Sequence, residues 1–424
     1  MNILVIGSGG REHALIKSIK KNPSVETVYA LPGNGGIAKD AVCVDIKADE
    51  FEKIVDFAVK EKIDFAVVAP DDPLVGGLVD LLNAKGIPCF GPDKKAAILE
   101  GSKVFSKNLM KKYGIPTAEY AVFENSADAL SYLESASFPT VIKADGLALG
   151  KGVVIAENLS EAQNAVRSIM EDKVFGKSGN EIVIEEYLEG PEVSVLAFTD
   201  GKTVVPMVSS MDHKRALDGD RGPNTGGMGT IAPNPYYTEE VARECTEKIF
   251  LPTICAMRSE GRPFMGCLYF GLMLTEKGPK VIEYNCRFGD PETQVVLPLL
   301  KTDLLEILLA VSQGRLADMK IEFEDGACCC VVLASNGYPA KYETGFPITL
   351  PEALSEGEEI FVSGAKEKDG RLVSAGGRVL GACAKGKDLK EAIENAYRLS
   401  DRISFENAYK RGDIGKRALS ALQK

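Results

Sequence analysis

The stretch Val281-Ile-Glu-Tyr-Asn-Cys-Arg-Phe-Gly-Asp-Pro-Glu292 decides how the rest of the chain is interpreted. Polar and apolar residues alternate over its first half, and alternate side chains of a β-strand lie on the same face. Glu283, Asn285 and Arg287 are therefore predicted to point to one side. The residues between them are predicted to point into a core: Ile282, Tyr284 and Cys286. Mg²⁺ prefers oxygen ligands, so a metal-binding strand and an amphipathic strand with one hydrated face both fit.

The composition limits the classes of protein that the chain can represent. Its 424 residues are enough for about three domains, and 45% hydrophobic with 26% charged residues is typical of soluble globular proteins. A net charge of -11 disfavours nonspecific binding to nucleic acid. Residues 1–7 resemble a strand rather than a secretion signal, and no apolar run is long enough to span a bilayer. We expect a cytoplasmic protein that binds neither nucleic acid nor membrane.

The cysteine and histidine content argues against two common kinds of site. The ten cysteines include no C-x-x-C pair, and Cys328-Cys329-Cys330 lies in an apolar run that predicts a buried strand. Reduced thiols fit a cytosolic protein. The two histidines are His13 and His213, and no G-x-S-x-G motif occurs, so a nucleophilic Ser-His or Cys-His mechanism has little support.

Strands and helices alternate in the first hundred residues. The predicted strands are at 2–6, 27–31, 41–46 and 65–69, and the predicted helices are at 51–60 and 74–85. This alternation predicts a doubly wound parallel sheet, which binds ligands beyond the carboxyl ends of its strands.

A glycine loop at residues 7–13 follows the first predicted strand. Glu12 stands where a dinucleotide fingerprint requires its third glycine, and the second strand does not end in an acidic residue. The pattern therefore disfavours NAD. The N–H groups of Gly9, Gly10 and Arg11 could cradle a phosphate at the start of a helix, and a tight strand-to-helix turn fits equally well.

A glycine-rich hairpin is predicted over residues 140–156. Its tip and the adjoining strand end contain three glycines and two lysines: Gly146, Gly150, Gly152, Lys143 and Lys151. It is not a Walker A loop, because Gly152 stands where that motif requires Ser or Thr. The glycines permit close approach to a polyphosphate, although a plain hairpin also fits.

Further elements surround a long polar loop at residues 212–235. This loop contains too many glycines for regular structure, and we expect it to contact substrate. The remaining predicted helices are at 102–113 (which contains Lys103), 160–170, 241–259, 295–312 and 389–400, and the strands are at 182–188, 192–199, 266–274, 280–287, 328–334 and 378–384. The strands at 266–274 and 280–287 should form a hairpin, and the last hundred residues should form a small α+β cap.

Six motifs follow one another in an order that resembles a known family. They are Gly7-Ser-Gly-Gly-Arg-Glu-His-Ala14, Lys143-Ala-Asp-Gly-Leu-Ala-Leu-Gly-Lys-Gly-Val153, Asn224-Thr-Gly-Gly-Met-Gly229, Glu283-Tyr-Asn-Cys-Arg-Phe-Gly-Asp-Pro-Glu-Thr-Gln294, Gly376-Gly-Arg-Val-Leu380 and Asp413-Ile-Gly415. Together they resemble ATP-grasp ligases, and more narrowly the glycinamide ribonucleotide synthetase family of purine synthesis. The resemblance implies an α/β and α+β multidomain chain. Its domains are a doubly wound domain over 1–101, an ATP-grasp domain over 102–312 with a lid at about 118–190, and an α+β domain over 313–424.

The resemblance also implies a reaction and a set of site residues. A monomer would join glycine to 5-phosphoribosylamine through glycyl phosphate, giving glycinamide ribonucleotide, ADP and phosphate. The implied ATP-binding residues are Lys103, Lys143, Gly146, Gly150, Lys151, Gly152, Glu185, Glu186, Leu188 and Glu192. The implied substrate-binding residues are Gly9, Gly10, Arg11, Asp212, Asn224, Gly226, Gly227 and Arg287. Glu283 and Asn285 would hold Mg²⁺ or Mn²⁺, and the implied catalytic residues are Arg287, Lys143 and Asp290.

The chain departs from the family pattern at three places. Gly-Pro-Glu is replaced in Ala69-Pro-Asp-Asp-Pro-Leu74, and a C-terminal His-Ala-Gly is replaced by Val362-Ser-Gly364. The strand at 266–275 also lacks the acid that many ATP-grasp enzymes place there. Two alternatives remain: a related ATP-grasp ligase or carboxylase with another acceptor, and a nucleotide-sensing protein without chemistry.

Overall fold

A parallel sheet forms the first part of the protein in a computed structural model that describes residues 1–147 and 152–423. Its strands are β1 (Asn2–Gly7), β2 (Thr27–Pro32), β3 (Val42–Cys43), β4 (Phe65–Val68) and β5 (Cys89–Phe90), in the order β3-β2-β1-β4-β5. Its helices are α1 (Gly10–Ile19), α2 (Phe51–Lys60), α3 (Asp71–Gly76) and α4 (Leu78–Ala84). The predicted doubly wound domain is confirmed. The single helix predicted at 74–85 is wrong, because Gly77 adopts a φ of +94° and interrupts it.

Two helices lead from this sheet to a four-stranded antiparallel sheet. The elements are α5 (Lys94–Gly101), α6 (Lys103–Tyr113), β6 (Tyr120–Phe123), α7 (Ser126–Leu133), β7 (Thr140–Ala144), β8 (Val153–Ala156), α8 (Leu159–Met170) and β9 (Ile182–Glu186), with strand order β6-β9-β7-β8. Ser102 is the N-cap of α6, and its hydroxyl accepts a hydrogen bond from the N–H of Phe105. Gly114, in the left-handed region, is the C-cap. The hairpin predicted around Lys143 is confirmed by its pairing with Val153.

The following residues supply a second antiparallel sheet and strands for a third. They form β10 (Glu192–Asp200), β11 (Val204–Pro206), β12 (Met211–Asp212), β13 (Arg215–Leu217), β14 (Arg221–Asn224), β15 (Gly229–Ala232), α9 (Glu239–Cys245), α10 (Leu251–Ser259), β16 (Met265–Thr275) and β17 (Gly278–Asn285). A π-helical turn at Thr246–Phe250 joins α9 to α10. The second sheet has the order β11-β10-β16-β17, which confirms the hairpin predicted for its last two strands.

Strand β17 carries one extra residue at one point of its pairing with β16. Val281 and Glu283 pair with successive residues of β16, and Ile282 lies between them as a β-bulge. Val281 therefore packs into the core beside Tyr284 and Cys286, while Ile282 lines a cleft. The prediction that Ile282 points into the core is wrong, because strict alternation fails at a bulge.

The glycine-rich segment at 212–235 forms short strands, so the prediction that it lacks regular structure is wrong. Strands β13 and β14 pair with each other, and β12 and β15 extend the sheet of the C-terminal residues. Four residues of β15 pair with the stretch Cys328–Val331 described below. Main-chain hydrogen bonds from a neighbouring strand thus outweigh the poor strand propensity of glycine.

The C-terminal residues complete this third sheet. They form α11 (Thr293–Val296), α12 (Leu304–Ser312), β18 (Ala327–Ser335), β19 (Glu358–Val362), β20 (Ala365–Lys368), β21 (Arg371–Ser374), β22 (Arg378–Gly386), α13 (Leu389–Ser400), β23 (Ala408–Tyr409) and α14 (Lys416–Ala421). The strand order is β12-β15-β18-β22-β19, with β23 also paired to β18. The predicted α+β cap is confirmed, and it includes strands from the segment at 211–232.

The single helix predicted at 295–312 is also wrong. A short 3-10 turn at Leu297–Leu299 contains Pro298, and Leu300 is extended. Asp303 is the N-cap of the next helix, α12, and its carboxylate accepts a hydrogen bond from the N–H of Glu306. Proline and this N-cap together divide the apolar pattern into two helices.

The last sheet is joined to the first domain by polar and apolar contacts. The N–H of Val362 donates to Nδ1 of His13 at 2.8 Å, and its carbonyl accepts from Nδ2 of Asn34 at 2.8 Å. A shared core includes residues from both sheets, among them Val5 and Phe361. These contacts place β19 and β22 beside the glycine loop that follows β1.

His213 joins strand β15 to the residue before helix α14 in its neutral form. Its Nδ1 lies 3.1 Å from the carbonyl of Gly229, and its Nε2 accepts from the N–H of Gly415 at 3.1 Å. Burial, with Arg411 nearby, lowers the pKa of His213 to about 4.

We expect the free energy of unfolding to depend on the charge of His213. The unfolded side chain has a pKa near 6.5, so between pH 6.5 and 4 the unfolded state binds more protons. Stability should therefore fall by up to about 3 kcal/mol as the pH drops through this window. Urea unfolding at several pH values should show a weaker dependence for His213→Gln than for the unaltered chain. Equal slopes would contradict this assignment.

Candidate active site

A cleft of about 290 Å³ is lined by residues of the N-terminal domain and of all three antiparallel sheets. It is lined by ten of the predicted site residues: Arg11, Lys103, Lys143, Gly146, Gly152, Gly226, Glu283, Asn285, Arg287 and Asp290. Residues separated by up to about 280 positions in the sequence are thus brought to one cavity. Gly150 and Lys151 lie outside the described residues.

Glu283 and Asn285 present oxygen atoms toward this cleft. The Nδ2 of Asn285 donates to Glu100 at 3.0 Å, so the orientation of the amide leaves Oδ1 for another partner. The Glu283 side chain is 33% exposed. Burial alone would raise the pKa of Glu283, but Lys214, Lys143 and the other cations around it lower that pKa below its usual value.

Glu100 holds the end of β17 in place. Its carboxylate accepts from the backbone N–H of Cys286 at 2.6 Å and lies 3.4 Å from the guanidinium of Arg287. Burial raises the pKa of Glu100, against the opposing effect of Arg287. The Nε of Arg287 is buried without a hydrogen-bond partner among the described residues.

Two lysines share one buried carboxylate at the inner wall of the cleft. Glu185 forms ion pairs with both Lys143 and Lys107, and all three side chains are almost fully buried. Lys143 also donates to the carbonyl of Ile282 at 3.1 Å, which ties the lid sheet to the bulge. Burial lowers the pKa of Lys107 to about 8 despite the attraction of Glu185. The arrangement fixes Lys143 with its ammonium beside Glu283.

Lys103 and Lys214 complete the positive charge around Glu283. Lys103 donates to the carbonyl of Gly146 at 2.7 Å, at the base of the lid hairpin. Lys214 lies 3.2 Å from Glu192 and 3.9 Å from Glu283. The neighbouring carboxylate of Glu192 raises the pKa of Lys214 well above its usual value, so this side chain stays charged.

One N–H group of the glycine loop already has a hydrogen-bond partner. The N–H of Gly9 donates to Oε2 of Glu12 at 2.6 Å, so a phosphate cradle that includes this group requires Glu12 to release it, and the role of Gly9 stays a prediction. Glu12 provides one half of a capping box, in the position where a nucleotide-binding loop carries glycine. Gly10 and Arg11 occupy the first positions of α1, where N–H groups have no partner within the helix. They remain candidates for binding an anion.

The other predicted residues that the structure describes are not among those that line the cleft. Glu186 pairs with Lys280 at 2.6 Å and is 40% exposed, and Leu188 is half-buried. Asn224 is exposed at the end of β14. Asp212 accepts from the N–H of His213 at 2.7 Å, and burial with Glu292 nearby raises its pKa well above the usual value.

Gly227 occupies a position that no other residue can fill without a clash. Its φ is +112°, and an added Cβ would lie 2.5 Å from Cδ of Pro291 and 2.6 Å from Oδ1 of Asp212. Close packing here brings the polar loop against the end of the Glu283 strand. Gly345 has a similar φ of +97° but open space around an added Cβ.

Gly227→Ala is expected to lower kcat/KM at least about tenfold, because the loop must move away from Pro291. Gly345→Ala is the matched control, since it carries the same backbone strain of about 1 kcal/mol without the clash. Steady-state kinetics and thermal unfolding of both variants separate the two effects. Equal activity in the two variants would contradict a role for close packing at Gly227.

Sequence analysis missed several residues of the cleft. Asp71, Glu100, Lys107 and Arg378 line it, and Lys214 lies next to Glu283. Arg378 belongs to the quoted Gly376-Gly-Arg motif, and Lys214 follows Asp212 by two positions, so weak signals existed for these two. Glu100 and Lys107 lie on ordinary helical patterns that give no such signal.

The antiparallel sheets β6-β9-β7-β8 and β11-β10-β16-β17, with the cation-lined cleft beside them, define an ATP-grasp protein. A biotin carboxylase domain of the Hydrogenobacter thermophilus 2-oxoglutarate carboxylase shares this fold, with a TM-score of 0.75 at 17% identity over 96% of this chain and 91% of that chain. Residues 1–100, 101–293 and 328–417 match the N, ATP-grasp (A) and C domains of phosphoribosylglycinamide synthetase. The chain belongs to that family, as its motifs predicted.

Similar proteins cover the whole chain. A phosphoribosylamine–glycine ligase of Clostridium acetobutylicum is 51% identical over 417 residues, which are 98% of this chain and 100% of the relative. The crystal structure of a phosphoribosylamine–glycine ligase from Thermotoga maritima has a TM-score of 0.87 at 36% identity, covering 98% of this chain and 100% of that one.

No helix in the described part of the chain is both long enough and apolar enough to cross a membrane.

Proposed function

We propose that this chain is an ATP-dependent ligase that joins glycine to 5-phosphoribosylamine, giving glycinamide ribonucleotide, ADP and phosphate. The observation that carries the proposal is the convergence of Lys103, Lys143, Lys214 and Arg287 around Glu283. Full-length similarity to phosphoribosylamine–glycine ligases supports the choice of substrates. We also propose that the enzyme is a monomer.

The donor set fits a hard divalent cation, Mg²⁺ or Mn²⁺. No three His, Cys, Asp or Glu side chains are grouped closely enough within residues 1–147 and 152–423 to hold a metal by themselves. Glu283 and the free Oδ1 of Asn285 would supply two ligands, with water and nucleotide phosphates as the others, which is the usual arrangement for Mg²⁺. When bound, such an ion neutralises charge on the transferring phosphate.

The first step has to overcome repulsion between two anions. A carboxylate about 4 Å from one phosphate charge meets about 4 kcal/mol of repulsion at an effective dielectric of 20. That alone corresponds to about three powers of ten in rate. Lys103, Lys143 and Arg287 offset this charge while a glycine carboxylate oxygen bonds to the γ-phosphorus and the bond to ADP breaks.

The second step forms the amide bond. The neutral amine of the sugar attacks the acyl carbon of glycyl phosphate, the bond from that carbon to the phosphate oxygen breaks, and the amine proton passes to phosphate or solvent. The side chains need only orient the amine and exclude water, because the amine is itself a nucleophile. We propose that the hairpin of β7 and β8 acts as a lid that provides this exclusion, supported by the contacts of Lys103 and Lys143 at its base.

The substrates have separate places in this proposal. Glu186, Leu188 and Glu192 hold adenosine, and Gly9, Gly10 and Arg11 at the start of α1 hold the sugar phosphate. Asp212, the segment 224–229 and Asp290 form the acceptor side.

The experiment that tests this function measures phosphate release with ATP, glycine and enzymatically generated phosphoribosylamine, each omitted in turn. We expect release to require both ATP and glycine, and glycinamide ribonucleotide to form only with all three. Bicarbonate or another amino acid replacing glycine with full activity would point to a different ligase or a carboxylase. ATP binding without glycine-dependent release would indicate a nucleotide-sensing protein.

A further inference from the structure

Arg378 connects the C-terminal sheet to the acceptor side of the cleft. Its Nη1 donates to the carbonyl of Gly226 at 2.6 Å and to the carbonyl of Asp290 at 2.8 Å, and its Nη2 lies 3.4 Å from Oδ2 of Asp290. The residue begins β22 and lines the cleft. One guanidinium therefore contacts both Gly226 and Asp290, which are 64 positions apart in the chain.

The backbone N–H and carbonyl of Gly226 are both held by C-terminal residues, Tyr338 and Arg378. Its N–H donates to the hydroxyl of Tyr338 at 3.0 Å, while its carbonyl accepts from Arg378. A Cβ at this position would lie 2.9 Å from Cζ of Arg378, so the peptide and the guanidinium are in close contact. This contact fixes the position of the segment around Gly226 relative to the end of β17.

Asp290 is held from two directions. The Nε2 of Gln294 donates to Oδ1 at 2.7 Å, and Arg378 lies beside Oδ2. Burial alone would raise the pKa of Asp290, but Arg378 and Arg11 lower it below its usual value. The carboxylate thus stays charged and is kept in one orientation facing the start of α1.

We propose that Arg378 is a positioning residue that holds the segment 224–229 and Asp290 against the acyl phosphate, so that the amine rather than water captures this intermediate. The inference rests on the proposed function. It adds a role for the C-terminal domain in deciding whether the acyl phosphate is captured by the amine or hydrolysed by water. If Arg378 is lost, the segment and Asp290 lose their common anchor. Water then competes for the acyl carbon, and each hydrolytic event releases phosphate and regenerates glycine.

The test compares phosphate released with glycinamide ribonucleotide formed, for the unaltered chain, Arg378→Lys and Arg378→Met. We expect a ratio near one for the unaltered chain and an excess of phosphate of about fivefold or more for Arg378→Met, because small displacements cost large factors in capture. The lysine variant should lie between them. The KM for phosphoribosylamine should rise while the KM for ATP stays within about twofold. Arg371→Met, at an exposed arginine of β21, is the matched control and should leave the ratio at one.

A second variant keeps the inference testable if Arg378→Met fails to fold. Tyr338→Phe retains the ring and removes the acceptor for the N–H of Gly226, so it should raise the ratio in the same direction by a smaller factor. A ratio of one with unchanged KM values in a folded Arg378→Met or in Tyr338→Phe would overturn the inference. Loss of glycine-dependent phosphate release in the unaltered chain would instead reject the proposed function.

Discussion

Replacing Glu283 with glutamine is expected to lower kcat at least about 100-fold, because the change removes the charged ligand of the proposed divalent ion. The carboxylate also balances the surrounding lysines: Lys214 lies 3.9 Å away, and Lys143 and Lys103 lower the pKa of Glu283. Glutamine preserves the size of the side chain. The fold should therefore survive while affinity for the ion falls.

The measurement is phosphate release as a function of Mg²⁺ concentration, together with Mn²⁺ binding by calorimetry in the presence of ADP. Glu276→Gln is the matched control, since Glu276 is exposed on the turn between β16 and β17 of the same hairpin. It should leave both measurements unchanged. Near-normal product formation by Glu283→Gln at all Mg²⁺ concentrations would rule out the metal-binding role.

Replacing Lys143 with methionine is expected to reduce kcat/KM for ATP at least about 100-fold, because a fixed cation is lost from the phosphate-binding wall. In the unaltered chain Lys143 is held between Glu185 and the carbonyl of Ile282. Methionine fills a similar volume, and Glu185 keeps its other partner, Lys107. The variant should therefore remain folded.

Calorimetry measures the ATP affinity of Lys143→Met, and circular dichroism shows whether the variant is folded. Together they separate a loss of ATP binding from a loss of structure. Lys177→Met is the control, because Lys177 is exposed on the same lid subdomain and should be neutral. Unchanged ATP affinity and turnover in a folded Lys143→Met variant would show that the ion pair with Glu185 is purely structural.

Local pattern was sufficient for most of the fold. The alternation of strands and helices predicted the parallel sheet, and the hairpins around Lys143 and at β16–β17 followed from apolar runs separated by turn residues. The errors arose where long-range contacts compete with local propensity. The glycine-rich segment forms strand structure because it pairs with β18. At the bulge, Val281 packs into the core where Ile282 was predicted to do so.

The sequence by itself determined the family and the order of its three matched regions. It also predicted several charged side chains that line one cleft, among them Lys143, Glu283 and Arg287. These depend on motifs in which neighbouring residues act together, such as Glu283 and Asn285 on one strand. Only the tertiary structure decided that Glu100 orients Asn285, that Lys107 shares Glu185 with Lys143, and that Arg378 reaches Gly226 and Asp290. The physical reason is that a hydrogen bond or ion pair requires atoms about 3 Å apart, and the partners in these contacts are brought together by the packing of three sheets.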